Sequence, residues 1–415
     1  MLQDCLLTLP DGRILAYEQS GNLEGKPLFL FHGLASSRHE VNLAHDEMLK
    51  ANIRFIGIDR PGMGLSTFQK NRTIIDFVKD VEFLADYLSI ERFSIMGIST
   101  GASYAYACIH KIPHRIVSCD IISGIGPIEE LGYKDLSSDS RMTIKVAKYA
   151  PWLMRPLFWF TQGRFSQKEA YTDKFLDSIT FMLDDVDKKL IQDKRMKREL
   201  IKPFRESYRQ GSKGVARDGV LAFAKPWGFK LKDVGYFPIY LWHGEKDKGI
   251  PAEIARKVDK KLKNSKLTLF PNEGHISIIF NRFEEIAKEL LKNMAVGIDS
   301  YRSQYCEVLY LENEKAVFCK WKSFCRDDAY REPLKFGLKL INIKQSKVWI
   351  TDATDGFLNE EKDTQWLLNR FMPKAIESSM EKIVFIVNDN AQLKKEIASQ
   401  TESLSEFFQI EIVSR

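Results

Sequence analysis

The stretch SIMGISTGASYAYA, Ser94 to Ala107, decides how this chain is read. Phe93 to Met96 closes a short apolar strand, and Ala102 to Ile109 is small, apolar and free of Pro and Gly, as a buried helix would be. Ser99 then falls on a strand-to-helix turn, inside Gly97-Ile98-Ser99-Thr100-Gly101. A turn this sharp strains the serine backbone, and only small flanking residues let the neighbouring chain pass closely, so the pattern points to an exposed, reactive hydroxyl. Five residues of this kind also arise by chance. The motif needs partners.

Working outward, apolar strands alternate with helices. Leu6 to Leu9 and Ile14 to Glu18 flank Pro10-Asp11-Gly12 and read as a hairpin at a sheet edge. Pro27 to Phe31 is a continuous apolar run, as a strand buried on both faces requires, and it ends in His32-Gly33-Leu34-Ala35-Ser36-Ser37. A helix is expected over Glu40 to Ala51, a strand over Arg54 to Asp59, a tight glycine-rich turn over Arg60 to Ser66, and an amphipathic helix over Ile74 to Leu88. After Ser99 the strand Ile116 to Ile122 follows. The rhythm resumes only at the strand Pro238 to Trp242, its loop His243 to Pro251, a helix over Ala252 to Leu262, the strand Lys266 to Phe270, the loop Pro271 to His275 and a helix over Phe283 to Met294.

Between about 128 and 235 strand signals vanish, and PWLMRPLFWF precedes a charged helix expected over Asp184 to Leu200. An all-helical insertion of this kind reads as a cap. Trp152, Phe158, Trp159 and Phe160 are its pocket-wall candidates, with the insertion's own core as the competing account of the same stripe. His39, His45, His110, His114 and His243 show no partner in the sequence and are assigned structural or surface roles.

Leu34, Ser99, Asp247 and His275 all fall just past the carboxyl ends of buried strands, which in a doubly wound sheet is one edge of the molecule. Ser99 needs a base to attack at neutral pH. His275 can take and return that proton, and Asp247 can orient and stabilise the imidazole. The backbone N–H groups of Leu34 and Thr100 are the natural oxyanion hole.

FHGLASSR, DRPGMGLS, MGISTG, LWHGEKDKGIP and PNEGHIS, in this order, resemble the α/β-hydrolase superfamily over roughly the first 295 residues. SGIGP, RQGSKGVARDG and KPWGF are similar to a bacterial subgroup distantly like proline iminopeptidases. The resemblance implies Ser99 as nucleophile, Asp247 as acid and His275 as base, with His32 propping the oxyanion loop. Two departures stand out. Ala35 occupies the usual proline position, and Thr100 replaces the commoner Gly or Trp after the nucleophile, which bears on substrate breadth and argues mildly against a peptidase.

Beyond Gly297 a second unit begins. Strands are expected over Cys306 to Leu311, Ala316 to Phe324, Lys347 to Thr351, Glu381 to Val387 and Phe407 to Val413, with helices over Asp327 to Ile343, Asn359 to Ser378 and Ala391 to Ser405. VFCKWKSF, KVWITDATDGF and FMPKAIESSMEKIVFIV are similar to STAS-like domains, which bind partners or ligands. Thr354 sits as a shifted substitute for the phosphorylatable serine of such domains, in what also reads as a charged, solvated turn.

A chain of 415 residues exceeds the about 250 to 300 residues at which one core stops growing, so two domains are expected, 1–296 and 297–415. Hydrophobic residues make up 44% and charged residues 28%, and the net charge of +6 is interspersed, which argues against nucleic-acid binding. No apolar run reaches the roughly 20 residues of a membrane span. The N-terminus lacks a secretory pattern, and six scattered cysteines without a C-x-x-C pair suit reduced thiols, so a cytoplasmic protein is expected.

The expectation is an α/β protein, a mostly parallel sheet with a helical cap plus a smaller α/β domain, acting as a serine hydrolase. It would cleave an ester or related acyl bond of a small apolar substrate without metal or cofactor, with a protein partner of the C-terminal domain as a further expectation. One alternative is a small-molecule sensor that signals through that domain. Another is an aminopeptidase, for which Asp173, Asp177, Asp184 and Asp185 are candidates to hold the substrate amine and equally suit a solvated helix face.

Overall fold

The computed structural model describes residues 2–167, 172–177, 183–262, 264–356, 359–388, 394–395, 397–398 and 401–414. The chain divides into two compact units, Met1–Met294 and Ala295–Arg415, and the division falls inside the helix Phe283–Ile298.

The first unit is built on an eight-stranded sheet of order β1-β2-β4-β3-β5-β6-β7-β8. These strands are β1 Leu2–Thr8, β2 Ile14–Gly21, β3 Lys26–Phe31, β4 Ile53–Ile58, β5 Phe93–Ile98, β6 Ile116–Ile122, β7 Ile239–Gly244 and β8 Ser265–Phe270. The β1–β2 and β2–β4 pairs are antiparallel, and the others are parallel. Every residue of β5 is buried, which is why its sequence is apolar without alternation. Phe29 and Phe93 meet across β3 and β5 at 4.4 Å between ring centroids. The strand order reverses between β3 and β5, so the loops after these two strands diverge and leave a crevice at their carboxyl ends.

Between β6 and β7 the described chain is helical, including Ser138–Tyr149, Met154–Phe158, Asp185–Leu190, Lys194–Ser207 and Lys213–Ala224. The helix expected over Asp184 to Leu200 is two helices. Asp193 accepts N–H groups from Arg195 and Met196 and so caps a new helix rather than continuing the old one. The segment expected as one helix from Glu40 is a 3₁₀ turn, Arg38–Ala44, followed by the helix His45–Lys50.

The second unit has a six-stranded sheet of order β14-β13-β12-β11-β10-β9. Its strands are β9 Ser300–Arg302, β10 Cys306–Leu311, β11 Ala316–Trp321, β12 Val348–Asp352, β13 Lys382–Val387 and β14 Gln409–Ser414. The pairs β9–β10 and β10–β11 are antiparallel and the rest parallel. Strand β9 was not expected, being too short for a pattern to show. The helix Asp328–Lys344 packs Leu334, Leu338 and Ile341 into this unit's core. The helix expected over Ala391 to Ser405 lies largely outside the described residues.

Candidate active site

Ser99 stands between β5 and the helix Gly101–Lys111 with φ of +55°, a left-handed conformation that non-glycine residues rarely take. Neighbouring backbone holds it there. Its N–H donates to Ile122 at 3.0 Å, and its carbonyl accepts from Ala102 and Ile125 at 3.2 Å. Gly101 is required because a Cβ there would lie 1.8 Å from the Phe31 carbonyl oxygen. Thus the first helical turn packs directly against the end of β3, with Ser99 on the turn that joins β5 to that helix.

The loop after β3 is fixed by charge. Arg60 donates from Nη1 to the His32 carbonyl at 2.5 Å and from Nη2 to the Gly33 carbonyl at 2.9 Å. Its guanidinium is held by Asp218 of the insertion helix Lys213–Ala224, which also accepts from Arg72 at 2.6 Å and from Tyr104. Burial alone would raise the Asp218 carboxyl, yet the two guanidinium groups hold it well below the usual carboxylate range. His32 Nδ1 donates to the Gly33 carbonyl at 2.8 Å, and burial keeps its ring neutral. Ala35 has φ of +56°, which a proline ring forbids, so proline could not stand here in this loop conformation. The N–H groups of Leu34 and Thr100 meet no protein acceptor among the described residues.

Asp247, after β7, is buried. It accepts from His275 Nδ1 at 2.7 Å through Oδ2 and from the Ile250 N–H at 2.8 Å through Oδ1. His243 holds the far side of this loop, donating from Nε2 to the Ile250 carbonyl at 2.6 Å; burial keeps it neutral. The sequence showed no partner for His243, because that partner is a backbone carbonyl.

Two carboxylates that the sequence did not single out also bear on the site. Asp187, on the insertion helix Asp185–Leu190, accepts N–H groups from His275 at 2.9 Å, Ile276 at 3.1 Å and Ser277 at 2.7 Å. Glu40 is buried and accepts from the Gly33 N–H at 3.2 Å and the Ser36 hydroxyl at 2.9 Å; burial raises its pKa against those two bonds. Burial also favours a neutral His275, but Asp247 first, then Asp187 and Glu40, push its pKa above the ordinary imidazole value.

Ser99, His275, Leu34, Thr100 and Glu40 line one cavity of about 310 Å³. Its remaining wall is mostly apolar, with Ile250, Ile254 and Ile276 from the body and Ile144, Leu157, Phe158, Leu200 and Phe223 from the insertion. Phe158 therefore faces the cavity. Trp152, Trp159 and Phe160 do not line it; they are 71%, 43% and 59% exposed on the outer face of the same segment. The correction is one of phase, since the helical period that turns Leu157 and Phe158 inward turns these three outward.

The four acids considered for an amine subsite do not line the cavity either. Asp173 pairs with Lys197, Asp185 with Lys188, Asp184 accepts from the Asp187 N–H at 2.9 Å, and Asp177 is exposed. In the second unit the Thr354 hydroxyl donates to Asp352 at 2.6 Å, closing a local turn. Among the described residues no group of three or more His, Cys, Asp or Glu is arranged to hold a metal, and no helix is long and apolar enough to cross a membrane.

This sheet, elbow and helical insertion define a class, and sequence comparison agrees: the family model described as alpha/beta hydrolase fold matches residues 26–282, and the chain belongs to that family. It is 25% identical over 293 residues to a bifunctional esterase/perhydrolase of Acinetobacter calcoaceticus, spanning 69% of this chain and 97% of that one. A proline iminopeptidase of Xylella fastidiosa is 33% identical over 115 residues, 26% of this chain and 36% of that one. Among solved structures, an esterase from Exiguobacterium antarcticum matches with a TM-score of 0.52 and 15% identity, over 71% of this chain and 100% of that one, a likeness of fold.

Proposed function

We propose that the chain is a serine hydrolase that cleaves a carboxylic ester or related acyl bond of a small apolar substrate. The observation that carries this reading is the bond of 2.7 Å from His275 to buried Asp247 beside a cavity that also holds Ser99 in its left-handed turn. Ser99 Oγ attacks the acyl carbon as His275 Nε2 takes its proton, and Asp247 stabilises the imidazolium. The N–H groups of Leu34 and Thr100 receive the oxyanion. His275 then protonates the leaving alcohol, and water repeats the sequence on the acyl-enzyme. The apolar wall sets the acyl preference, and the esterase/perhydrolase relative supports the ester reading. Turnover of p-nitrophenyl butyrate is the test: wild type shows a burst and Ser99→Ala none, whereas equal rates overturn the reading.

The C-terminal unit supports a second element of the proposal, a STAS-like partner-binding role, on its two antiparallel pairs followed by parallel strands. Should Ser99→Ala bind esters yet wild type not turn them over, a sensor that reports through this unit replaces the enzyme. An aminopeptidase would need a carboxylate facing the substrate amine, and among the described residues Glu40 is the acid that lines the cavity. The proposal includes a cytoplasmic location, on the scattered spacing of the six cysteines in the sequence.

A further inference from the structure

The segment from Ser140 to Gln167 carries Arg141, Lys145, Lys148, Arg155 and Arg164 and not one Asp or Glu. All five bases are exposed, and none is paired with a carboxylate among the described residues. Interleaved with them at helical spacing are Met142, Tyr149, Trp152, Leu153, Trp159 and Phe160, all large, apolar and exposed. Lys148 Nζ lies 5.5 Å from the Tyr149 ring centroid and the Arg164 guanidinium 5.9 Å from that of Phe160, so cations and rings share one face. The opposite face of the same helices is spent: Ala147, Met154 and Phe158 pack against Val215, Ala216 and Val220, and Ile144 and Leu157 line the cavity. Among the described residues, the packing inside the insertion leaves these six outer side chains largely open to solvent. Isolated exposed apolar residues are ordinary, but six in one short segment with only positive charge between them are not.

We propose that this outer face docks on an anionic lipid surface. Tryptophan and tyrosine settle at the level of lipid headgroups, where one edge of the ring is dry and the other wet, while lysine and arginine reach the lipid phosphates. The charge pattern selects this occupant over a second copy of the chain. A two-fold contact sets a patch against itself, and here that would bring unneutralised bases face to face. Docking would bring the lipid to the back of the helices whose inner face forms the apolar cavity.

Sedimentation of the full chain with sonicated vesicles tests this without reference to turnover. The protein is expected to pellet with equimolar phosphatidylglycerol and phosphatidylcholine at low salt, to be released by high salt, and to bind pure phosphatidylcholine weakly. Lys148→Gln and Arg155→Gln are each expected to weaken binding by about fivefold. Trp152→Ala and Trp159→Ala weaken it without altering its salt dependence. All four side chains are exposed, so unchanged circular dichroism certifies the variants. Absence of binding at low salt, equal binding to both vesicle types, or variants that bind as wild type would overturn the proposal. So would a monomer–dimer equilibrium abolished by the same substitutions, which assigns the face to a second copy.

Discussion

The Asp187 carboxylate accepts the backbone N–H of His275 at 2.9 Å, across 88 residues of sequence. With Ile276 and Ser277 it gathers three successive N–H groups, so an insertion residue fixes the main chain that carries the proposed base. Asp187→Ala leaves those donors unmet, at a cost of about 1–3 kcal/mol for a buried donor. The urea midpoint is expected to fall, and ester turnover is expected to lose kcat with little change in KM. A variant as stable and active as wild type would deny Asp187 this role.

The pH dependence follows from the carboxylates around His275. Its pKa is raised because Asp247, Asp187 and Glu40 outweigh burial, and the base works only when neutral. Activity should therefore fall as pH drops through a value above the ordinary ~6.5. Asp187→Asn removes one of the raising charges and should move that acid limb of kcat/KM to lower pH. A limb that stays in place, or moves upward, contradicts the assignment. For stability the sign is opposite in sense: His275 holds its proton more tightly when folded, so its contribution is full below about 6.5 and is lost as pH rises through the folded value.

Asp120 on β6 is fully buried, and burial lifts its carboxyl to about 7 against hydrogen bonds from Trp242 and Asn293. Its Oδ2 meets no hydrogen-bond partner among the described residues. The folded state thus prefers the protonated acid, and stability from this group is present below about pH 4 and is lost as pH rises through about 7. Asp120→Asn cannot ionise. Thermal unfolding at about pH 8 should find it more stable than wild type by about 1–3 kcal/mol, with the gain disappearing at about pH 4. A variant less stable at both pH values would refute this.

The left-handed backbone of Ser99 is expected to cost about 1–2 kcal/mol that glycine would not. Ser99→Gly should raise the urea midpoint while removing all burst chemistry. Loss of stability would mean that Ser99 makes contacts that outweigh its strain.

The sheet was legible because parallel strands buried on both faces are continuous apolar runs: PLFLF, FSIMGI and IYLW each announce themselves. The turns that carry Ser99, Asp247 and His275 were legible because each follows such a run. Asp187, Glu40 and the Arg60–Asp218 pair were not, since a carboxylate that serves distant backbone N–H groups looks like any helix-face acid until the chain folds. The aromatic stripe from Trp152 to Phe160 misled in phase: periodicity shows that two faces exist, and only packing against Val215 and Val220 tells which one is inside. At Thr354 the sequence offered a charged turn beside a shifted modification position, and the hydroxyl's bond to Asp352 is what such a turn requires.

The most direct test of the central claim is peptide mapping by mass spectrometry after a fluorophosphonate probe. The account predicts one adduct, on Ser99, formed faster as pH rises through the His275 pKa and absent in Ser99→Ala; labelling that is missing in wild type, or that persists in Ser99→Ala, would contradict it.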